Sequence, residues 1–218
     1  MSGPPLHDGT GDARVGLFIV LWLAALAGAV DSSGFFLLKD LYVSFMSGNT
    51  TSMAAALARA DWPRARLIAG IIGCFVAGAA AGTVIGTLAG RRHLPVVTLA
   101  SAGVLVVPVF VAAWSVLAMT FAMGMLNAAM HRAGSVEVSI TYVTGALVKL
   151  GRGLGTLLCG RAGDWGWLAQ AVPWLGLVAG AVLSTIAILH VGLAMLPALP
   201  LAAALIGAAI WLVLPRLD

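Results

Sequence analysis

The chain has 218 residues, of which 61% are hydrophobic and only 9% are charged, whereas an average soluble domain carries about 25% charged residues. A soluble fold of this size could not cover its surface with so few charges. This excludes an ordinary globular enzyme domain, a disordered chain and a nucleic-acid-binding protein. The formal net charge of +4 instead suits the cytoplasmic loops of a membrane protein. The composition therefore predicts an all-α polytopic protein embedded in the lipid bilayer.

Long apolar runs divide the chain into candidate membrane segments. Residues 1–14 are rich in glycine and proline and are predicted to form a disordered leader. A crossing helix needs about 20 apolar residues. The six predicted full crossings are residues 15–36, 66–90, 95–114, 115–131, 167–190 and 193–214. Two further segments, 43–60 and 139–159, open with β-branched and aromatic residues before a polar glycine step, and we interpret them as broken or re-entrant helices.

The two odd segments belong to an internal repeat of about 97 residues. Phe45-Met46-Ser47-Gly48 aligns with Tyr142-Val143-Thr144-Gly145, and Gly28–Asp31 aligns with Gly124–Asn127 after one residue of slack. The glycine-rich segment 66–90 then aligns with 167–190. The sequence therefore predicts one integral-membrane domain made of a first repeat, 15–114, and a second repeat, 115–218.

The topology depends on whether the odd segments cross the bilayer. If they turn back, each half has three crossings and the halves are inverted; if they cross, the halves are parallel. The polar residues of 44–52 favour re-entry, with Ser47 or Thr144 capping a helix that follows an extended stretch. The alternative is a plain spanning helix whose hydroxyls bond to its own carbonyls. In both cases the positive-inside rule places both termini in the cytoplasm.

Asp31 is the one acidic residue predicted to lie inside an apolar run. A carboxylate at that depth costs about 2.5–3.5 kcal/mol on insertion scales, so it would face a cavity or a partner, or be protonated. Its repeat counterpart is Asn127, also polar. Lys149 or Arg152 would be its counter-charge, or else an anchor near a loop. The alternative is that Asp31 lies near the membrane surface and reaches water.

The repeated glycine steps suggest a binding site between the halves. Two helix N-termini, at 47–50 and 144–146, would face each other in an inverted repeat and attract an anion or a carboxylate. The residues predicted to bind substrate are Asp31, Ser47, Gly48, Asn49, Thr50, Asn127, Thr144 and Gly145. Asp31 would also bind a coupling proton or Na⁺, with Lys149 as the predicted counter-charge.

Four glycines recur every fourth residue in the predicted segment 66–90: Gly78, Gly82, Gly86 and Gly90. Such a stripe lets helix backbones approach closely. It would join either the two halves or two copies of the chain in a homodimer. Gly176, Gly180 and Ser184 repeat the device in the second half.

The sequence has little to support catalysis or metal binding. The histidines show no metal-ligand spacing, and no serine has the flanking glycines of a nucleophile elbow. Cys74 and Cys159 are interpreted as small buried hydrophobic residues. We therefore expect no enzyme activity, no cofactor and no metal.

The chain resembles the YoaK-like family of bacterial membrane proteins of unknown function. The resemblance rests on Ala27–Asp31, Phe45–Thr50, Gly124–Ala128 and Thr141–Leu147, and it covers about residues 15–214. The resemblance implies an inner-membrane protein with six crossings, but it does not indicate a substrate. Ile140 departs from the pattern, because relatives often carry a second threonine there.

These observations predict a small secondary transporter for a small anionic or zwitterionic molecule. Its site would lie at mid-membrane between inverted repeats, and a homodimer would complement its small size. The alternative is a non-transporting membrane helper or scaffold.

Overall fold

A computed structural model describes residues 9–38, 41–130, 143–161 and 165–213, and all regular structure in these ranges is helical. The α-helices of the described ranges are α1 (Gly9–Leu38), α2 (Met46–Ala58), α3 (Trp62–Ala89), α4 (His93–Val104), α5 (Val107–Phe110), α6 (Ser115–Met130), α7 (Val143–Leu158), α8 (Ala171–Val191) and α9 (Ala198–Val213). Helix α1 begins at Gly9, within the predicted leader, so residues 9–14 are helical. Residues 1–8 of that leader lie outside the described ranges.

Four described segments are long and apolar enough to cross a membrane. They are Arg14–Leu37, Trp62–Phe110, Ala112–Met130 and Trp165–Met195, and Ala198–Val213 is a shorter apolar helix. The 49-residue segment Trp62–Phe110 contains both α3 and α4, which are joined by a turn at Gly90. These findings support the predicted all-helical, multi-pass membrane protein. The six crossings and the repeat remain predictions.

Helices α2 and α7, which contain the predicted glycine steps, are short. Their 13 and 16 residues extend about 20 and 24 Å at the α-helical rise, less than the roughly 30 Å of a bilayer core. Both helices end in the same type of left-handed turn, with φ of 56° at Ala60 and 69° at Gly160. Residues 139–142, which lead into α7, lie outside the described ranges.

Helices α1 and α8 form the most extensive interface, and they run parallel. Gly176 lies against the carbonyl of Leu21, and Gly180 lies against that of Ala25. One turn further, the Ser184 hydroxyl donates to the Ala29 carbonyl at 3.0 Å. Because residue numbers rise together along both helices, the close approach is that of a parallel small-residue interface.

The α3–α6 interface has the same construction. Gly78 lies against the Phe121 carbonyl and Gly82 against that of Met125, while the Cys74 thiol donates to the Leu117 carbonyl at 3.2 Å. The contacts of the two interfaces correspond residue by residue. Leu117–Cys74 matches Leu21–Gly176, and Phe121–Gly78 matches Ala25–Gly180. Met125–Gly82 matches Ala29–Ser184, and Gly124–Phe75 matches Gly28–Leu177. Helices α3 and α6 therefore also run parallel.

The helices at the ends of the two halves pair antiparallel. After α3 the chain turns at Gly90 and after α8 at Gly192, both with positive φ. At the start of α4, the Arg92 guanidinium lies 4.4 Å from the ring centroid of Trp211, near the end of α9. Further along α4, Leu99 packs against Gly207. Residue numbers therefore rise along α4 as they fall along α9.

The glycine stripe of α3 is used within the chain. Gly78 and Gly82 are buried against α6, and Gly86 lies near His93 and Val97 of α4. Gly90 is exposed in the turn that ends α3. Three of the four positions are therefore packed within the chain, which leaves Gly90 as the exposed member of the predicted dimer interface. The homodimer itself stays a prediction.

Candidate functional site

The Asp31 carboxylate of α1 binds the extended segment 41–45 that precedes α2. One carboxylate oxygen accepts the backbone N–H groups of Val43 at 3.0 Å and Ser44 at 2.8 Å. The other accepts the Ser44 hydroxyl. These donors replace the water that a carboxylate would otherwise need. Asp31 therefore attaches a non-helical stretch of chain to a membrane helix.

Asn49 holds the same stretch from the other side. Its side chain is fully buried and pairs with the backbone of Tyr42 in both directions. The Tyr42 N–H donates to Oδ1 at 3.1 Å, and Nδ2 donates to the Tyr42 carbonyl at 2.6 Å. Asp31 and Asn49 are thus brought together through residues 42–44. Both act on the backbone, so in this arrangement they position the segment rather than present free groups to a ligand.

The predicted cap at Ser47 is wrong. Helix α2 begins at Met46, and its N-cap is Phe45, whose side chain makes no capping hydrogen bond. Ser47 is exposed inside the first turn. The N-cap lies two residues earlier than predicted, because Asn49 and Asp31 bind the backbone of the preceding segment as far as Ser44. Gly48 lies against the Phe45 ring, so a larger residue would displace that ring.

Hydroxyls on the exposed face of α2 bond to the helix itself. Thr50 donates to the Met46 carbonyl at 2.8 Å, and Thr51 donates to that of Ser47 at 3.1 Å. The self-bonded hydroxyls expected of a plain helix are therefore present, although α2 is too short to cross as one.

The predicted residues of the second half lie on α6 and α7. Asn127 donates to the Met123 carbonyl at 2.8 Å. Thr144 and Lys149 are exposed, and Gly145 is partly buried. Helix α2 packs on α3, and α7 packs on α8 and the turn 165–170. Within the described ranges α2 and α7 share no extensive interface, and the predicted meeting of their first turns stays a prediction.

A buried hydroxyl cluster between α1 and α8 was not predicted. The Ser33 hydroxyl donates to the Ala29 carbonyl at 2.8 Å and lies 3.1 Å from that of Ser184. Ser32 and Thr185 pair at 2.7 Å between their hydroxyl oxygens. The sequence signal was present, because two adjacent hydroxyls occur in each apolar run. From the sequence, Ser184 was interpreted only as a small packing residue, and no hydrogen bond was assigned to these hydroxyls.

The described residues hold no group of three His, Cys, Asp or Glu side chains that could bind a metal ion. Cys74 is partly buried and Cys159 is exposed. Cys159 was therefore wrongly interpreted as buried, because it follows the end of α7 rather than lying within it. The chemical capacity of the site is therefore that Asp31 and Asn49 hold a short extended stretch of backbone beside the membrane helix α1.

Two comparisons place the chain among known sequences. The family model described as "Protein of unknown function (DUF1275)" matches residues 19–212. The chain is 36% identical over 189 residues to the UPF0700 transmembrane protein RA0705 of Rhizobium meliloti (strain 1021), covering 83% of this chain and 79% of the relative. No solved structure matches.

Proposed function

This chain belongs to the DUF1275 family of proteins of unknown function, and we propose that it is a small secondary transporter built from two inverted repeats. Its substrate is a small anionic or zwitterionic molecule, bound between the halves. The single observation that carries the proposal is the residue-by-residue correspondence between the α1–α8 and α3–α6 interfaces. Many transporter folds consist of such repeats, with the site at their interface.

Helix directions favour inverted rather than parallel halves. Helix α4 turns back along α3, since Gly86 lies near His93 and Val97. After α8 the chain also turns back, since Ser184 and Met195, which lies before α9, both contact Ser33, and we take α9 to continue in that direction. Because α4 and α9 are antiparallel, α3 and α8 are antiparallel too. With α1 parallel to α8, the chain enters along α1 and returns along α3, so α2 makes no net crossing.

The same reasoning applies to α7, between α6 and α8. Both short helices then act as re-entrant elements, one in each half, and the chain makes six crossings. With both termini on the cytoplasmic side of the inner membrane, α2 lies on the outer side of the membrane and α7 on the cytoplasmic side. Non-helical backbone at membrane depth is tolerated where protein or a water-filled cavity covers it. The bonds from Asp31 and Asn49 to residues 42–44 provide that cover.

In this transporter the exposed first turns of α2 and α7 supply the substrate contacts. Ser47, Thr50 and Thr144 are their exposed hydroxyls, and Gly48 and Gly145 keep the first turns narrow. Asp31 orients the segment before α2, Asn127 lines the site, and Lys149 provides a positive charge for an anionic substrate. Neither a cofactor nor catalysis is part of the proposal, and a dimer would use a face other than the glycine stripe.

Labelling of cysteines with a membrane-impermeant maleimide tests the inverted topology. The native Cys159 in a Cys74→Ala chain reports on the end of α7. Ala58→Cys, in a Cys74→Ala and Cys159→Ser chain, reports on the end of α2. Inverted halves expose the two positions on opposite sides of the membrane. Labelling of both from the same side would refute the inversion.

Electrophysiology of proteoliposomes on a solid support tests transport directly. A panel of small carboxylates, phosphate and amino acids is applied as concentration jumps. We expect a current with at least one member, reduced at least tenfold in Asp31→Ala. The control is Thr83→Ala, which removes an exposed hydroxyl that bonds to its own helix. The absence of current from any member in folded, reconstituted protein would count against transport.

A non-transporting membrane scaffold is the second candidate function. The observation that favours it is that both Asp31 oxygens already accept hydrogen bonds from residues 43 and 44. A scaffold predicts that Asp31→Ala lowers stability and that neither the native chain nor the variant gives a current. The same recordings, combined with a stability measurement, therefore separate the two functions.

A further inference from the structure

An open cleft lies between the end of α2 and the first turn of α3, apart from the proposed substrate site. It has a volume of about 390 Å³ and is lined by Ser52, Ala55, Ala56, Arg59, Asp61 and Arg64. Two guanidinium groups therefore border one cavity beside a hydroxyl. None of these residues takes part in the hydrogen bonds that hold the extended segment 41–45.

The charge of this cleft is unbalanced in favour of an anion. Arg59 and Arg64 are exposed, and neither forms an ion pair with another residue of the described ranges. The Asp61 carboxylate is the N-cap of α3 and accepts the Arg64 N–H at 3.1 Å. Each guanidinium has five N–H donors in a planar fork that fits carboxylate and phosphate oxygens. The cleft thus has two guanidinium groups against one carboxylate, whose Oδ1 is bonded to the Arg64 N–H.

The walls of the cleft are held in place by backbone bonds. Helix α2 ends in a turn in which the Asp61 N–H donates to the Ala56 carbonyl at 2.9 Å, with Ala60 at a φ of 56°. Pro63 occupies the first turn of α3, where its fixed φ suits a helix start. A rigid turn between the two arginines lowers the entropy cost of binding.

The cleft also lies at the beginning of a membrane segment. The span Trp62–Phe110 starts beside it, and Trp62 is 58% exposed. Tryptophan and arginine at the ends of spans concentrate at the level of the lipid headgroups. Phosphate groups are abundant at that level, and an arginine pair recognises them with charge-assisted hydrogen bonds.

We propose that this cleft binds a phosphate group, with Arg59 and Arg64 as its ligands and Ser52 as a hydroxyl donor. The phosphate belongs either to the headgroup of an anionic phospholipid or to a free phosphate ion. This inference does not rest on transport, because it concerns binding alone.

Native mass spectrometry of the full chain in a neutral detergent tests the lipid source. Phosphatidylglycerol is titrated against phosphatidylcholine, which has a phosphate but no net charge. We expect the double variant Arg59→Gln/Arg64→Gln to lose at least tenfold in phosphatidylglycerol binding. The matched control is Arg66→Gln, an exposed arginine on the same helix turn that does not line the cleft, and its binding should stay within twofold of the native value.

Thermal unfolding with added inorganic phosphate tests the free-ion source. A phosphate-dependent rise in the unfolding midpoint that the double variant loses, without preference for phosphatidylglycerol, identifies the free ion. Lipid preference without a phosphate effect identifies the headgroup. Equal losses in Arg66→Gln and the double variant, or no loss in either, would overturn the proposal. If the double variant does not fold, as judged by gel filtration, Arg59→Gln and Arg64→Gln are measured singly and each should lose at least threefold.

Discussion

Gly180 on α8 lies so close to Ala25 on α1 that a Cβ at Gly180 would collide with the Ala25 carbonyl oxygen. Gly78 on α3 stands in the same relation to Phe121 on α6. Each glycine permits two helix backbones to touch, and in lipid such van der Waals packing is a main source of helix association. The two relationships are the closest points of the two main helix interfaces.

Gly180→Ala should therefore destabilise the protein by about 1–3 kcal/mol, the usual cost of overpacking a tight interface. The free energy of unfolding is measured by titrating the detergent-solubilised protein with sodium dodecyl sulfate. The control is Gly70→Ala, because a Cβ at Gly70 meets nothing within 4 Å. Equal effects of the two substitutions would contradict the close contact at Ala25.

The sequence predicted that these glycines pack helices, but not which residues correspond. It aligned segment 66–90 with 167–190 without fixing the register, whereas the contacts make Gly78 correspond to Gly180 and Gly82 to Ser184. Small residues spaced by four look alike on adjacent turns, so an alignment cannot fix the register. Only the partner carbonyls on α1 and α6 distinguish the turns.

Asp31→Ala should free the segment 42–44. The substitution leaves two backbone N–H groups and one hydroxyl without acceptors, and each unsatisfied group costs about 1–3 kcal/mol. Since about 1.4 kcal/mol corresponds to a tenfold change, we expect amide exchange at Val43 and Ser44 to become roughly 10- to 100-fold faster. Hydrogen exchange with mass spectrometry provides the measurement.

Asp61→Ala is the control for that experiment, because it also removes a carboxylate that accepts a backbone N–H. It should speed exchange at Arg64 and leave residues 43 and 44 unchanged. Unchanged exchange at Val43 in Asp31→Ala would show that the carboxylate does not hold the segment.

Part of this site was predictable from the sequence. The depth of Asp31 in an apolar run indicated a buried carboxylate with a role, and Asn49 was placed in the same site. Their partners were not predictable, because they are backbone groups of residues 42–44, which carry no sequence signal. The capping role assigned to Ser47 failed for the same reason: Asn49 and Asp31 set where the lead-in ends, and α2 starts without a side-chain cap.

The hydroxyls of Ser33 and Ser184 should stabilise the α1–α8 interface together. They lie 3.1 Å apart and both bond to the Ala29 carbonyl. A double-mutant cycle of Ser33→Ala and Ser184→Ala should give a coupling of about 0.6 kcal/mol, the average found for hydrogen bonds between membrane helices. Additive single effects would mean that the two hydroxyls act independently.

Cys74 and Gly176 occupy corresponding positions, yet substitution at Gly176 should destabilise the protein more than substitution at Cys74. At Gly176 a Cβ would lie 2.5 Å from the Leu21 carbonyl oxygen and 3.1 Å from the Ala24 Cβ, so Gly176→Cys overpacks the interface and should cost about 1–3 kcal/mol. At Cys74 the helices already admit a side chain, whose thiol donates a weak hydrogen bond to Leu117. Cys74→Ala removes only that thiol, and we expect a loss below about 1 kcal/mol, since ordinary hydrogen bonds contribute about 0.5–1.5 kcal/mol. Unfolding free energies of both variants, measured in one detergent, test the asymmetry. A larger loss in Cys74→Ala than in Gly176→Cys would show that the two interfaces differ in some other way.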